Sequence, residues 1–170
     1  MNKEVIFIEG TDLSGKDFFI NKYFKKDLTV FYPPSDNFFD KNIPYEVQRR
    51  YAWMLTFNTI FVNIEESKTF TNIVYRSPIS NYIYNKFFKL KDDLKDYLEY
   101  LENIQKRFNY NFSFWVIFQS KDVLYKRFEK RGDKNIKFDK KHIDELYELY
   151  QLVFKKLKKE NKFDIYFIKE

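Results

Sequence analysis

Five short apolar stretches alternate along the chain with longer segments whose apolar residues recur every three or four positions. The apolar stretches predict buried strands, and the longer segments predict amphipathic helices. Strands and helices alternate without an internal repeat or a linker, which predicts one α/β domain over residues 1–170 with a five-stranded, mostly parallel sheet. The predicted strands cover residues 4–9, 28–32, 70–75, 112–119 and 164–168.

Residues that favour helix ends place the boundaries of the segments between the strands. Ser77-Pro78 predicts a helix start, because Ser is a good N-cap and Pro suits the first helical position. Ser120 and Asp139 are expected to cap two later helices, and Gly132 is expected to end the first of these. We expect helices over residues 16–25, 45–66, 78 onward, 90–109, 121–131 and 140–159.

The first predicted strand runs into a loop bounded by two of the chain's three glycines. Its G-x-x-x-x-G-K spacing is that of a phosphate-binding loop, in which backbone N–H groups surround a phosphate and the lysine reaches its terminal oxygens. The following helix points its positive end at the same place. The residue after the lysine is Asp17, where Ser or Thr usually helps to hold Mg²⁺. The loop reads Gly10, Thr11, Asp12, Leu13, Ser14, Gly15 and Lys16.

Composition argues against several other classes of function. Without cysteine there is no disulfide, thiolate metal site or cysteine nucleophile, and the single histidine, His142, argues against a multi-histidine metal site or triad. A signal-peptide pattern and a long apolar run are both lacking, so a cytoplasmic protein is expected. The net charge is +6, but the cations do not form one stripe. Nucleic-acid binding is therefore the weakest of the functions considered.

Four segments carry a resemblance to a known family. Ile8–Lys16 is very like the F-E-G-x-D-x-x-G-K opening of thymidylate kinases, and Val74–Ser77 stands where the family has Asp-Arg-Tyr or Glu-Arg-Ser. Leu124–Asp133 is similar to the family's helix and arginine-bearing lid, and Phe138–Tyr150 to the helix after the lid. Together these segments resemble the P-loop nucleoside and nucleotide kinases, in layout most of all thymidylate kinase and the deoxynucleoside kinases.

The resemblance implies a three-layer P-loop kinase fold with helices on both sides of a five-stranded parallel sheet. It implies ATP bound at the loop with Mg²⁺, a lid over about residues 130–139, and often a homodimer. The acceptor, a nucleoside or its monophosphate, would lie in a cleft made by the long helix after the second strand.

Within this frame, residues 10–17 are expected to bind ATP, and Lys16 to neutralise phosphate charge during transfer. Arg76, at the carboxyl end of the third strand, is expected in the cleft. Arg127 and Arg131 lie four residues apart and so share one helix face. They either grip the transferred phosphoryl group or form a solvated basic face.

Two departures from the family concern the metal. Deoxynucleoside kinases place a metal-holding Glu before the strand-three arginine, where this chain has Tyr75. We expect Asp17 to be the displaced carboxylate that ligates Mg²⁺ directly or through water. Alternatively, Asp17 is a first-turn acid favoured by the helix dipole, and the protein binds nucleotide or a protein partner without catalysis.

The acceptor is predicted from a missing carboxylate. Transfer to a sugar hydroxyl benefits from a general base, which the family places after the second strand. This chain has Tyr32-Pro33-Pro34 there, at the start of a predicted loop over 33–44. A monophosphate needs no base, because its second pKa is about 6, and Arg76 with Arg49 or Arg50 would hold it. The main prediction is a deoxynucleoside monophosphate (thymidylate-like) kinase. The alternative is a deoxynucleoside kinase with Asp12 or Asp36 as base.

The long helix over 45–66 is predicted to carry the base-recognition residues. Phe57 and Asn58 resemble the Phe and amide that deoxynucleoside kinases present to the base, and an amide offers one donor and one acceptor to a base edge. Asn58 also suits a structural contact between helices. The expected buried stripe of this helix is Val47, Tyr51, Leu55, Asn58 and Val62.

Overall fold

The computed structural model describes residues 2–24, 29–31, 42, 45–131 and 139–169, with the backbone alone for 45–51. Its five strands form one sheet in the order β2-β3-β1-β4-β5, and each neighbouring pair is parallel. The predicted parallel sheet is therefore confirmed. The strands are β1 (Glu4–Glu9), β2 (Thr29–Phe31), β3 (Thr71–Tyr75), β4 (Asn111–Phe118) and β5 (Asp164–Lys169).

Within the described residues, six helices occupy the predicted segments, and side-chain caps explain where three of them begin. Ser77 Oγ accepts the Ile79 N–H at 3.1 Å, as expected of an N-cap. Asp139 and His142 form a reciprocal capping box. The fourth helix begins four residues later than predicted, because Asp93 caps it. The helices are α1 (Lys16–Tyr23), α2 (Tyr45–Glu66), α3 (Pro78–Phe87), α4 (Leu94–Phe108), α5 (Lys121–Arg131) and α6 (Lys140–Lys159).

Alternate residues of β1 enter two separate hydrophobic cores. Val5 and Phe7 join the larger core, which also contains residues of α2, α3, α4 and α6. Ile6 and Ile8 join a smaller core with Phe19 of α1 on the opposite face. Because both faces of the sheet are covered, the central strand is a continuous apolar run. This arrangement is the three-layer architecture that was predicted.

The predicted buried stripe of α2 is wrong. Leu55 and Val62 are 68% and 52% exposed, whereas Phe57 and Phe61 on the adjacent face are buried and Phe61 packs against Phe112 of β4. The helix has apolar residues on nearly every side, so periodicity alone does not select a face. The larger aromatic rings bury more area and decide the orientation.

In the parts of the chain that the structure covers, no helix combines the length and the apolar character needed to cross a bilayer.

Candidate active site

The loop after β1 requires glycine at both of its ends. Gly10 has φ 138°, and a Cβ there would lie 2.6 Å from the Ile117 carbonyl oxygen. Gly15 has φ 95°, and a Cβ there would lie 2.9 Å from Nη1 of Arg127. Both φ values are ones that residues with side chains rarely adopt. The two glycines thus let the backbone turn tightly between β1 and α1, as the motif predicts.

Lys16 folds back over this loop. Its Nζ donates to the carbonyl oxygens of Gly10 and Thr11 at 3.0 and 2.7 Å, and its side chain is buried. Burial, assisted by the positive charge of Arg76, lowers the pKa of Lys16 to about 7, although nearby carboxylates oppose the shift. A polyphosphate beside Nζ would favour the charged form and raise this pKa again.

The start of α1 faces the same loop. Gly15 occupies the N-cap position, so no side chain caps the first N–H groups of the helix. Uncapped N–H groups and the positive end of the helix dipole favour an anion. The glycine turn, these donors and Lys16 together fit the phosphates of ATP.

Arg76 lies where the sequence predicts, at the end of β3, and its guanidinium reaches back to the loop. Its Nη2 forms an ion pair with Asp12, and its Nη1 donates to the Tyr150 hydroxyl at 2.7 Å. The guanidinium also lies 5.0 Å from the Tyr84 ring centroid. Arg76 adopts φ 68°, a strained conformation of the kind that concentrates at functional sites.

Asp12 adds a carboxylate to the cluster that Arg76 forms with Tyr150 and Tyr84. Its side chain is 51% exposed. Partial burial alone would raise the pKa of Asp12, but the charges of Arg76 and Lys16 outweigh that effect and hold the pKa below its ordinary value. The group is therefore an accessible, ionised carboxylate between the loop and the end of β3.

Glu9 belongs to the cluster but received no role in the sequence interpretation. It is fully buried, and its carboxylate accepts the Ser77 N–H at 2.7 Å and the Ser80 hydroxyl. Burial raises the pKa of Glu9 despite these bonds and the charge of Arg76. The sequence did contain a signal for this residue, which is a charged side chain at the end of an apolar central strand. Such a group is buried only where ion-pair or hydrogen-bond partners surround it.

The two arginines of α5 are placed differently. Arg127 Nη1 donates to the Leu13 carbonyl oxygen at 2.8 Å, so this side chain contacts the loop. Arg131 is exposed at the last position of α5. Most of the predicted lid over 130–139, including Gly132, lies outside the described residues.

The predicted metal ligand lies at the surface. Asp17 is exposed in the first turn of α1, and within the described ranges no group of three or more metal-ligating side chains occurs. A single carboxylate still fits Mg²⁺, which is often held by one or two carboxylates together with substrate phosphates. At the position of the family's glutamate, the Tyr75 ring centroid lies 5.5 Å from Lys16 Nζ.

The residues predicted to bind the acceptor base lie in helix packing. Phe57 is 1% exposed and belongs to the larger core. Asn58 is exposed, and its Oδ1 accepts the Tyr100 hydroxyl at 2.8 Å, which joins α2 to α4. These placements favour the structural interpretation of both residues. The side chains of Arg49 and Arg50, and residue Asp36, lie outside the described part of the chain.

Comparisons with known proteins give a match in structure but none in sequence. No protein-family model matches the chain, and no curated protein does. Three solved structures of one enzyme, deoxyadenosine kinase from M. mycoides, match at 17% identity. The structure with the products dCMP and a flexible dCDP bound has a TM-score of 0.58, and the match covers 96% of this chain and 89% of that chain.

The other two structures cover similar shares of both chains. The structure with bound dATP has a TM-score of 0.57, and the match covers 96% of this chain and 89% of that chain. The structure with bound dCTP has a TM-score of 0.51, and the match covers 97% of this chain and 89% of that chain. At this level of identity the likeness concerns architecture. The chain has the fold of the P-loop deoxynucleoside kinases.

Proposed function

We propose that the protein is an ATP-dependent deoxynucleoside kinase. The observation that carries this proposal is the Asp12–Arg76 pair beside the phosphate-binding loop. It supplies an ionised, half-exposed carboxylate that can accept a proton from a sugar hydroxyl, a role that needs reach and the right charge state. The similarity in fold to a deoxyadenosine kinase supports the same acceptor class.

The second candidate, a deoxynucleoside monophosphate kinase, was the main prediction from sequence. That prediction depended on the missing carboxylate after the second strand, and the placement of Asp12 beside Arg76 supports Asp12 as a base in its stead. A monophosphate carries about two negative charges at neutral pH. It would lie beside the ionised, half-exposed Asp12 carboxylate, which repels a second anion, so this position favours an uncharged acceptor.

The proposed mechanism assigns one task to each side chain. Bound ATP would supply the phosphoryl group, and Mg²⁺ would neutralise its charge. The loop N–H groups and Lys16 would hold the polyphosphate, while Arg76 and Arg127 would add positive charge near the transferred group. Asp12 would accept the proton of the acceptor hydroxyl while the hydroxyl oxygen forms a bond to the γ-phosphorus of ATP and the bond from this phosphorus to ADP breaks, so that ADP leaves.

An acceptor screen tests the proposed function. The protein is incubated with Mg-ATP and each ribonucleoside, deoxynucleoside and 5′-monophosphate, and ADP formation is measured. We expect ADP only with one or more deoxynucleosides. ADP formed only with monophosphates would establish the second candidate instead. ATP binding without ADP formation from any acceptor would identify a nucleotide-binding protein without this catalysis.

Asp17 is proposed to take part in Mg²⁺ binding. Replacing Asp17 with Ala is expected to raise the Mg²⁺ concentration for half-maximal activity about tenfold, as loss of a metal-supporting group commonly does. Asp17→Ser, which introduces the hydroxyl usual at this position, should recover most of the loss. The measurement is a Mg²⁺ titration at fixed total ATP. Identical titrations for the wild-type protein and the Ala variant would leave Asp17 as a first-turn acid only.

Two further expectations are retained as proposals. A homodimer follows from the resemblance, and sedimentation of the purified protein measures it. A cytoplasmic location follows from composition, and fractionation of cells that express the protein measures it.

A further inference from the structure

Tyr150 of α6 is fully buried in the larger core. Its ring stacks on Phe154, with centroids 6.1 Å apart and planes at 16°. The Tyr84 ring meets it edge-on at 6.4 Å. Since packing fixes the ring on two sides, the hydroxyl has a defined position at the inner end of the site.

A chain of hydrogen bonds passes through this hydroxyl. Arg76 Nη1 donates to it at 2.7 Å, the Tyr150 and Ser80 hydroxyl oxygens lie 2.8 Å apart, and Ser80 bonds Glu9 Oε2. A guanidinium can only donate, so Tyr150 accepts a hydrogen bond from Arg76. Because the Ser80 hydroxyl donates its hydrogen to Glu9, Tyr150 is the donor in its bond to Ser80.

The donor and acceptor of each hydrogen bond in this series are therefore fixed by Arg76 at one end and the Glu9 carboxylate at the other. Each hydroxyl is donor to one neighbour and acceptor from the other, so neither can rotate without breaking a bond. Arg76 also forms an ion pair with half-exposed Asp12. Water competes for such an exposed contact, whereas the bond to buried Tyr150 is shielded from water.

We propose that Tyr150 is a positioning residue whose hydroxyl holds the Arg76 guanidinium over the phosphate-binding loop. The proposal rests on the proposed function, because it assigns a role in phosphoryl transfer to a residue that acts through Arg76. In the sequence, Tyr150 has no assigned role beyond its place at the end of the segment Phe138–Tyr150.

The test is a double-mutant cycle with Tyr150→Phe and Arg76→Ala. Tyr150→Phe keeps the ring and removes the hydroxyl. We expect kcat with Mg-ATP and the accepted deoxynucleoside to fall about tenfold, in keeping with the loss of a hydrogen bond to a charged group, and KM for ATP to stay unchanged. In the Arg76→Ala background, Tyr150→Phe should cause no further loss. Losses that multiply in the double variant would overturn the proposal.

A matched control lies one turn earlier on the same helix. Tyr147 packs against the Phe118 ring at 5.7 Å, and Tyr147→Phe should leave both kinetic constants unchanged. All variants are compared well below the lowest measured Tm, so that partial unfolding does not contribute. An equal loss of kcat in Tyr147→Phe would overturn the proposal, because the effect would then belong to α6 as a whole.

A second measurement needs no activity. In protein labelled with ¹³C at tyrosine Cζ, the Tyr150 signal is assigned by its loss in Tyr150→Phe. We expect this signal to move in Arg76→Ala, because the hydroxyl loses its donor. An unchanged signal would overturn the positioning contact, whereas a wild-type protein that phosphorylates nothing in the acceptor screen would overturn the proposed function.

Discussion

Replacing Lys16 with Ala is expected to lower the rate of phosphoryl transfer about 1000-fold, in the range found when a charge that stabilises the transition state is removed. Lys16 Nζ donates to the Gly10 and Thr11 carbonyl oxygens, and the side chain is buried against the loop. Steady-state ADP formation with the accepted deoxynucleoside measures the effect.

Lys22→Ala is the matched control, because Lys22 lies on the same helix but is exposed. It should retain wild-type activity, and circular dichroism should show both variants folded. If Lys16→Ala kept more than about a tenth of the wild-type rate, the loop would not be the site of transfer.

The same residue gives ATP binding a pH dependence. The pKa of Lys16 is about 7 in the free protein, so above this pH the amine is mostly neutral, and polyphosphate binding must recharge it. Calorimetry in buffers of different ionisation enthalpy should show uptake of close to one proton per ATP at about pH 8, and much less at about pH 6, where the amine is already charged. Lys16→Ala should lack this uptake, and an equal uptake in the variant would contradict the assignment.

Replacing Arg76 with Ala is expected to lower kcat/KM for the acceptor at least about 100-fold. The substitution removes a positive charge beside the loop and leaves the Asp12 carboxylate without its ion-pair partner. Because the charge of Arg76 helps to hold the pKa of Asp12 below its ordinary value, that pKa should rise in the variant. The acid limb of the pH profile of kcat/KM should therefore move to higher pH.

Arg107→Ala, which removes an exposed cation near the end of α4, serves as the control and should leave the profile unchanged. Arg76→Lys keeps the positive charge but lacks the bidentate guanidinium, so it should recover only part of the lost kcat/KM. A wild-type pH profile in Arg76→Ala would show that Asp12 does not act as the base.

Local patterns were enough to predict most of the fold. The central strand is apolar at successive positions from Val5 to Ile8 because both of its faces are covered, and Ser77 and Asp139 mark helix starts through their own hydrogen bonds. The prediction of the buried face of α2 was wrong, because α2 has apolar residues on most sides and its orientation depends on the elements against which it packs. The sequence of the helix does not identify those elements.

The candidate site was predictable only where its residues are close in sequence. Glycine spacing identified the loop from Gly10 to Lys16. The pairing of Asp12 with Arg76 joins residues 64 positions apart and depends on β1 and β3 being neighbours, which strand prediction alone does not establish. Tyr150 comes from the last helix, where its hydroxyl is indistinguishable in sequence from that of any other tyrosine on an apolar stripe.

The strand order has a consequence for protein synthesis. β1 is made before both of its partners but lies in the middle of the sheet, with Glu4 paired to Thr71 on one side and to Asn111 on the other. Such distant pairings form slowly, and the ribosome adds the partners only after β1 has emerged. Ile117, whose carbonyl oxygen lies against Gly10, and Arg127, which bonds Leu13, are made later still. A nascent chain thus carries the whole loop sequence once Lys16 has been added, but it can form the finished loop only after Arg127 has been made.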